Sequence, residues 1–314
     1  LTRYFQVGSI LRPHTVHAVE DISFQLERGR IVALVGESGS GKTTTIRLIA
    51  RLIPLTSGEM FFKGNDVTKS EPRHASLEYR RQVQMIFQDP FSSLNPVHTI
   101  GHHLSRPLTI HHKVDRRDVL REQVCTLLDT VDLKPAAEIY RRYPHQLSGG
   151  QRQRVAVARA LAVDPELILA DEPISMLDVS IRMEILNLIS RLKEDRNISF
   201  VYITHDLASA RYIADQIMVM YAGRMVEGGP AEDIMKKPAH PYSRLLLSAV
   251  PDPRAGLRTR KDMEARGEVP TLIDPPPGCP FAARCKQVMT PCRQVMPEVV
   301  TLSDGHWTRC YLYA

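Results

Sequence analysis

Short, wholly apolar runs alternate along this chain with segments of helical period. Ile31-Val-Ala-Leu-Val35 is a continuous apolar run of strand length, and similar runs recur at residues 167–170, 199–203 and 216–220. Runs of this length bounded by turn residues suit strands buried on both faces. Between them, residues 154–162 and 180–192 carry apolar side chains at helical spacing. Buried strands alternating with amphipathic helices predict an α/β fold, with a mostly parallel sheet covered on both sides. Nearer the start, residues 19–26 alternate apolar and polar positions, which predicts a half-buried strand before the turn at Gly29.

Two stretches break this rhythm. Residues 90–162 read as helical throughout and predict a helical insertion. After a short strand at 223–229 prolines become frequent (Pro230, Pro238, Pro241, Pro251, Pro253, Pro270, Pro275, Pro276, Pro277), which predicts an irregular extension. The predicted organisation is a first domain over 1–228, with a helical subdomain at about 90–162, and a C-terminal extension over 229–314. The sequence contains no internal repeat.

Composition narrows the class. The apolar share of 43% and charged share of 24% are those of a globular protein. No apolar run approaches the roughly 20 residues a bilayer demands, so any membrane function needs another chain to span it. A basic stretch followed by an apolar one is not visible at the start, and no secretory signal is expected. The net charge of +6, from 41 basic and 35 acidic residues, reads as an ordinary solvated surface and implies no nucleic-acid partner.

Gly36-Glu-Ser-Gly-Ser-Gly-Lys-Thr43 matches the P-loop pattern in full, between a buried strand and the helical period at 44–52. Gly36, Gly39 and Gly41 let the backbone approach phosphate closely, and the N–H groups of Ser38, Ser40 and their neighbours point into the cradle up to Thr44. Lys42 is expected to reach the β- and γ-phosphates of ATP, and the Thr43 hydroxyl to ligate Mg2+. An acid near the metal and a group acting on water should accompany this loop. Asp171 and Glu172 follow the apolar run at 167–170. Asp171 is expected to hold Mg2+ through water, and Glu172 to polarise the attacking water. His205 ends the next apolar run and is expected to contact the γ-phosphate.

Leu147-Ser-Gly-Gly-Gln151 reads as a helix N-terminus, with Ser148 as cap and Gly149 and Gly150 exposing N–H groups ahead of Gln151. A second anion-reading surface suits a nucleotide held by another subunit. With the P-loop and acid pair, the pentapeptide resembles the ABC transporter ATPases, whose signature it is. The resemblance implies a P-loop core with an antiparallel β subdomain and a helical signature subdomain, in head-to-tail pairs that sandwich ATP between P-loop and signature. Gln88 then matches the Q-loop, a further Mg2+ ligand. Ser175-Met-Leu-Asp178 matches the D-loop that crosses the pair, with Met176 replacing the usual Ala. Phe5 aligns with the aromatic that stacks on adenine; Tyr4 is the alternative, and core packing is a third reading.

The oligopeptide/dipeptide permease group is the nearer resemblance, through Phe87-Gln-Asp-Pro-Phe-Ser-Ser-Leu-Asn-Pro96, the His240-Pro-Tyr242 region and a cysteine tail. Arg152-Gln-Arg154 after the signature and the Tyr4-Phe5 start resemble the second of that group's two ATPase subunits. The implied partners are a homologous ATPase subunit, two integral membrane permease subunits and an extracellular substrate-binding protein. The implied location is the cytoplasmic face of the membrane. Nickel complexes and oligosaccharides are alternative cargoes of the same ATPase type. ABC ATPases without a transport role carry two nucleotide domains or a long coiled coil, and this chain has neither. No Asn-Lys-x-Asp string points to a GTPase.

Cys279, Cys285, Cys292 and Cys310 are separated by five, six and seventeen residues. Four thiolates suit zinc or an iron–sulfur cluster, and the missing tight pairs disfavour zinc. The resemblance of Gly278-Cys-Pro-Phe-Ala-Ala-Arg-Cys285 to the permease tail implies a 4Fe-4S cluster with a structural or regulatory role. Cys125 lies in a helical period and reads as core. His102, His103, His111 and His112 read as a solvated face.

Overall fold

The computed structural model describes residues 1–9, 12–72, 74–90, 92–112, 114–248 and 272–314. Phe91, Pro251, Pro253 and Pro270, named above, lie outside the described residues. In chain order the structure begins with β1 (Arg3–Ser9), β2 (Arg12–Val19), β3 (Ile31–Val35) and α1 (Lys42–Ile49). A small hairpin, β4 (Phe61–Phe62) and β5 (Asn65–Asp66), precedes α2 (Val67–Ser70), α3 (Leu77–Gln82) and β6 (Val83–Ile86). Four helices follow: α4 (Ile100–His112), α5 (Arg117–Thr130), α6 (Ala136–Ile139) and α7 (Gly149–Leu161). Next come β7 (Leu167–Asp171), α8 (Val179–Arg196), β8 (Ser199–Thr204), α9 (Leu207–Ile213), β9 (Gln216–Tyr221) and β10 (Arg224–Pro230). The C-terminal part holds α10 (Ala231–Lys236), α11 (Pro241–Ser248), β11 (Val300–Ser303) and β12 (His306–Thr308).

The chain divides into two compact units, the first made of Leu1–Leu26, Ile31–His74 and Thr204–Ala314. Its strands run in the order β11-β12-β10-β9-β3, beside the β1–β2 and β4–β5 hairpins. β3 and β9 pair in parallel, Val32 opposite Gln216, while β9–β10 and β10–β12 are antiparallel. Every residue of β3 is buried, as its continuous apolar run predicts. Asp215 fixes the start of this ladder: its carboxylate accepts from Ile31 N at 2.7 Å, and its own N–H donates to Ile31 O at 2.9 Å.

Residues 20–26 do not form the predicted strand. The strand is β2, which ends at Val19, and Asp21 takes a left-handed φ of 48° that breaks the ladder. Ile22 instead bonds Leu1 at both backbone groups. The C-terminal extension also holds more regular structure than its prolines suggest. Its β11–β12 hairpin turns at Gly305 and lays β12 against β10, Gly228 opposite Trp307. Glu227, wholly buried, accepts from the N–H groups of Ala239 and His240 and bonds His306 Nε2, each at 2.8 Å. A buried carboxylate is tolerated when donors surround it, and here they tie α11 and β12 to β10.

The second unit comprises Glu27–Arg30 and Ala75–Ile203. Its strands β8, β7 and β6 run parallel, with β7 wholly buried. Helices α4, α5 and α7 pack on one another over buried Leu104, Leu108, Val124, Leu128 and Val155. Arg154 of α7 ties the bundle together, donating to Val131 O at 2.8 Å and to the carboxylates of Asp132 and Glu184 at 3.3 and 2.7 Å.

Candidate functional site

The first unit carries the phosphate cradle. β3 delivers the chain to Gly36, where a Cβ would come within 2.2 Å of Met220 O, so only glycine fits. Gly41 caps α1 in the left-handed region at φ 98°, which favours glycine again. Ser38 and Gly39 are exposed while Ser40 and Lys42 are buried. Lys42 Nζ donates to the carbonyls of Gly36 and Glu37, both at 2.8 Å, and to Ser40 Oγ at 3.3 Å. The ammonium is thus held inside the loop, with Thr43 and Thr44 half-buried on the first turn of α1. A helix start directly after such a glycine loop suits a phosphate, because the dipole and N–H groups of a helix N-terminus favour an anion.

His205 and Phe5 also lie in this unit. His205 is exposed just past β8, before Asp206 caps α9 by accepting from Ala208 N at 2.9 Å. Phe5, on β1, is half-buried with the Arg3 guanidinium 4.4 Å from its ring centre. Its neighbour Tyr4 packs against His17 instead, 4.1 Å between ring centres with the planes tilted by 35°.

The second unit brings Gln88 and Glu172 together. Gln88 Nε2, in the loop after β6, donates to Glu172 Oε2 at 3.1 Å. Asp171 is buried as the last residue of β7. Glu172 follows it with a left-handed φ of 44°, rare for a residue with a long side chain. The bend is held from three sides: Glu172 N donates to Ile203 O at 3.1 Å, and Ser175 N and Oγ donate to Glu172 O. These bonds offset the cost of holding a non-glycine residue in that region. Asp178 is exposed at the start of α8, beside exposed Met176.

Ser148 and Gln151 make a reciprocal capping box at the start of α7. Ser148 Oγ accepts from Gln151 N at 3.3 Å, and Gln151 Oε1 accepts from Ser148 N at 3.0 Å. Gly150 lies so close to α8 that a Cβ would meet Ile181 Cγ2 at 2.5 Å. At Gly149 a Cβ would fit, 3.6 Å from Leu177 Cδ2, and Ser148 itself faces solvent.

The four tail cysteines line one small cavity, partly open to solvent, with His240, Phe281 and Met289. Cys279 N donates to Cys292 O at 2.8 Å, which folds the tail back on itself. Burial pushes the Cys279 thiol up to about 12, helped by the other three cysteines, and also raises Cys285 and Cys310. Among the described residues no three His, Cys, Asp or Glu side chains converge to hold one metal ion. Ligand convergence therefore lends the expected iron–sulfur site no support; the structure shows the thiols sharing a cavity. Cys125 lies apart from them, on α5 in the second unit.

Sequence reasoning missed the groups that reach the cradle from the extension. Arg284, between Cys279 and Cys285, pairs with Glu37 of the P-loop, and its neighbour there holds the guanidinium firmly protonated. Tyr242 Oη accepts from Glu37 N at 2.8 Å. The only signal was indirect: an arginine and a tyrosine inside strings that carried the permease resemblance.

Residues 19–175 match the ABC transporter family, and residues 226–292 match the C-terminal region of oligopeptide/dipeptide transporters. The chain is 43% identical over 313 residues to the dipeptide transport ATP-binding protein DppF of Haemophilus influenzae, covering 99% of this chain and 94% of that one. It is 44% identical over 292 residues to DppF of Escherichia coli, covering 93% and 86%. Among solved structures, the ATP-binding cassette MJ0796, a dimer in a post-hydrolysis state with ADP and Pi, superposes with a TM-score of 0.64 at 27% identity, over 73% of this chain and 96% of that one.

Proposed function

The chain belongs to the ATP-binding proteins of the ABC transporter family, in the dipeptide and oligopeptide branch, and on that premise we propose that it powers the import of short peptides across a cytoplasmic membrane. It is an ATPase. No helix among the described residues is long and apolar enough to cross a membrane, so the translocation path belongs to other chains. The proposed assembly joins this chain to a homologous ATPase subunit and to two integral permease subunits, which hold it at the cytoplasmic face. A substrate-binding protein outside the cell delivers the peptide.

Each predicted residue has a role in this reading. The backbone N–H groups of the cradle and Lys42 bind the β- and γ-phosphates, while Phe5 stacks on the adenine. Thr43, Gln88 and Asp171 would hold Mg2+, which neutralises phosphate charge when bound. Glu172 accepts a proton from the attacking water, and its bond to Gln88 orients the carboxylate for that step. His205 contacts the γ-phosphate. Ser148, Gly149, Gly150 and Gln151 read the γ-phosphate of a nucleotide on the partner ATPase, and Asp178 crosses the interface between the two.

Cys279, Cys285, Cys292 and Cys310 would hold a 4Fe-4S cluster. The support is their common cavity, which brings four sulfur donors together, the donor set such a cluster takes as thiolates. The cluster's role is structural or regulatory.

One observation carries the peptide reading: a nucleotide-binding family and a peptide-transporter C-terminal region match the same chain in succession. The test is purification of the chain from membranes followed by reconstitution. Integral membrane chains should accompany it, and a peptide-loaded binding protein should stimulate its ATP hydrolysis. Purification without any membrane chain, together with peptide uptake unaltered by its deletion, would sink the reading.

A further inference from the structure

We propose that Arg284 is a positioning residue for ATP binding: from the cysteine-bearing extension it both places and neutralises Glu37, the second residue of the phosphate cradle. The inference rests on the cradle reading given above and goes beyond it.

Glu37 is pinned at three points. Its carboxylate takes a two-pronged ion pair from Arg284, Nη1 to Oε2 at 2.7 Å and Nη2 to Oε1 at 3.1 Å. Its N–H donates to Tyr242 Oη at 2.8 Å. Its carbonyl accepts from Lys42 Nζ at 2.8 Å and from Ser40 N at 3.2 Å. Two of the three anchors come from the extension, and the third is the lysine that meets phosphate. A shift of Glu37 therefore moves an acceptor of Lys42 directly.

Arg284 is built to hold such a position. Its side chain is only 9% exposed. Nη1 also donates to Tyr221 Oη at 3.1 Å, and the guanidinium carbon stands 5.7 and 5.8 Å from the ring centres of Tyr221 and Phe281. Phe281 packs in turn on Tyr221 and Tyr242, at 5.3 and 5.4 Å between ring centres. A planar fork locked between aromatic rings loses little freedom on pairing.

Charge supplies a second reason. The P-loop pattern leaves the second position free, so the cradle does not itself need an acid there. A carboxylate beside a phosphate site repels the ligand unless a cation cancels it. Arg284 is that cation, and it lies next to Cys285. The state of the thiol cavity is thereby linked to the nucleotide through one side chain.

The test is equilibrium binding of a non-hydrolysable ATP analogue to the purified full-length chain in its complex, at low salt. Arg284→Ala should weaken binding about tenfold, because displacement and repulsion act together. Adding Glu37→Gln to Arg284→Ala should restore affinity to within about threefold, since the repulsive charge is gone. A purely structural role for Arg284 predicts no such rescue. Arg284→Lys, which keeps the charge and loses the fork, should fall between and serves if the alanine variant does not fold. Unaltered affinity in a folded Arg284→Ala or Arg284→Lys protein, or a double variant no better than the single one, overturns the proposal. Failure of the unsubstituted chain to bind the analogue would instead remove the cradle reading on which it rests.

Discussion

Gln88 Nε2 donates to Glu172 Oε2 across 3.1 Å, so the loop after β6 holds the carboxylate that follows β7. Glu172 is placed twice over, by this bond and by a left-handed backbone locked through Ile203 and Ser175. Glu172→Gln keeps the shape and removes the base. Phosphate release should fall by about 100-fold or more, with equilibrium ATP binding unchanged within about twofold. Wild-type hydrolysis in the purified variant would take Glu172 out of this role. Gln88→Ala should lower kcat less, since it frees the carboxylate without deleting it.

The capping box gives a separate handle on α7. Ser148→Ala should cost the second unit about 1 kcal/mol of stability through the lost cap, read as a lower melting temperature. Ser148→Arg should do more, blocking hydrolysis of nucleotide on the partner ATPase while leaving ATP affinity at this chain's own Lys42 site nearly the same. Collapse of own-site binding with the partner's hydrolysis untouched would contradict the head-to-tail arrangement.

Local chemistry explains what could be read from the sequence. Ile31–Val35 is wholly buried because its apolar run admits no other packing, and Gly36 and Gly41 stand where a Cβ or a negative φ is forbidden. Such constraints act within a few residues, so the glycine loop, the acid pair at the end of its strand and the Ser148 cap were legible. Residues 19–26 misled because alternation alone ignores the left-handed turn at Asp21, which no glycine announces. The Arg284–Glu37 pair joins residues 247 positions apart, and long-range pairing leaves no periodic trace in one sequence. Prolines and cysteines likewise hid the β11–β12 hairpin, whose strands owe their order to β10.

Arg154 offers a test of how the helices of the second unit are held. Its side chain is 12% exposed and bonds Val131 O, Asp132 and Glu184 from one guanidinium. Arg154→Ala should cost about 1 to 2 kcal/mol, discounted because the partner carboxylates are half-exposed. Asp132 is held below its ordinary value of 3.8 by the Arg191 guanidinium first and by Arg154 as well. A depressed carboxylate stabilises the fold above its unfolded value and loses that contribution as pH falls through the lowered one. The penalty of Arg154→Ala should therefore be full at pH 7 and shrink below about pH 4. An equal penalty at pH 7 and pH 3, by thermal melting, would show that packing of the Arg154 stem carries the effect.

The tail cysteines separate iron from zinc by colour. Protein purified without oxygen should be brown and contain about four irons per chain, because thiolate-bound iron absorbs visible light and zinc does not. Replacing Cys279, Cys285, Cys292 or Cys310 by Ser should abolish the colour, since all four line the same cavity. Cys125→Ser is the internal control: Cys125 sits on α5, in the other unit, and its loss should change neither iron content nor absorbance. The proposed cluster would close a proline-rich extension, as metal ligation does in small domains, so its loss should also lower the melting temperature. The extension reaches the cradle through Arg284, which makes ATP affinity a second readout: Cys285→Ser should weaken it, and Cys125→Ser should not. A colourless native protein with one zinc per chain would sink the cluster and leave the ATPase untouched.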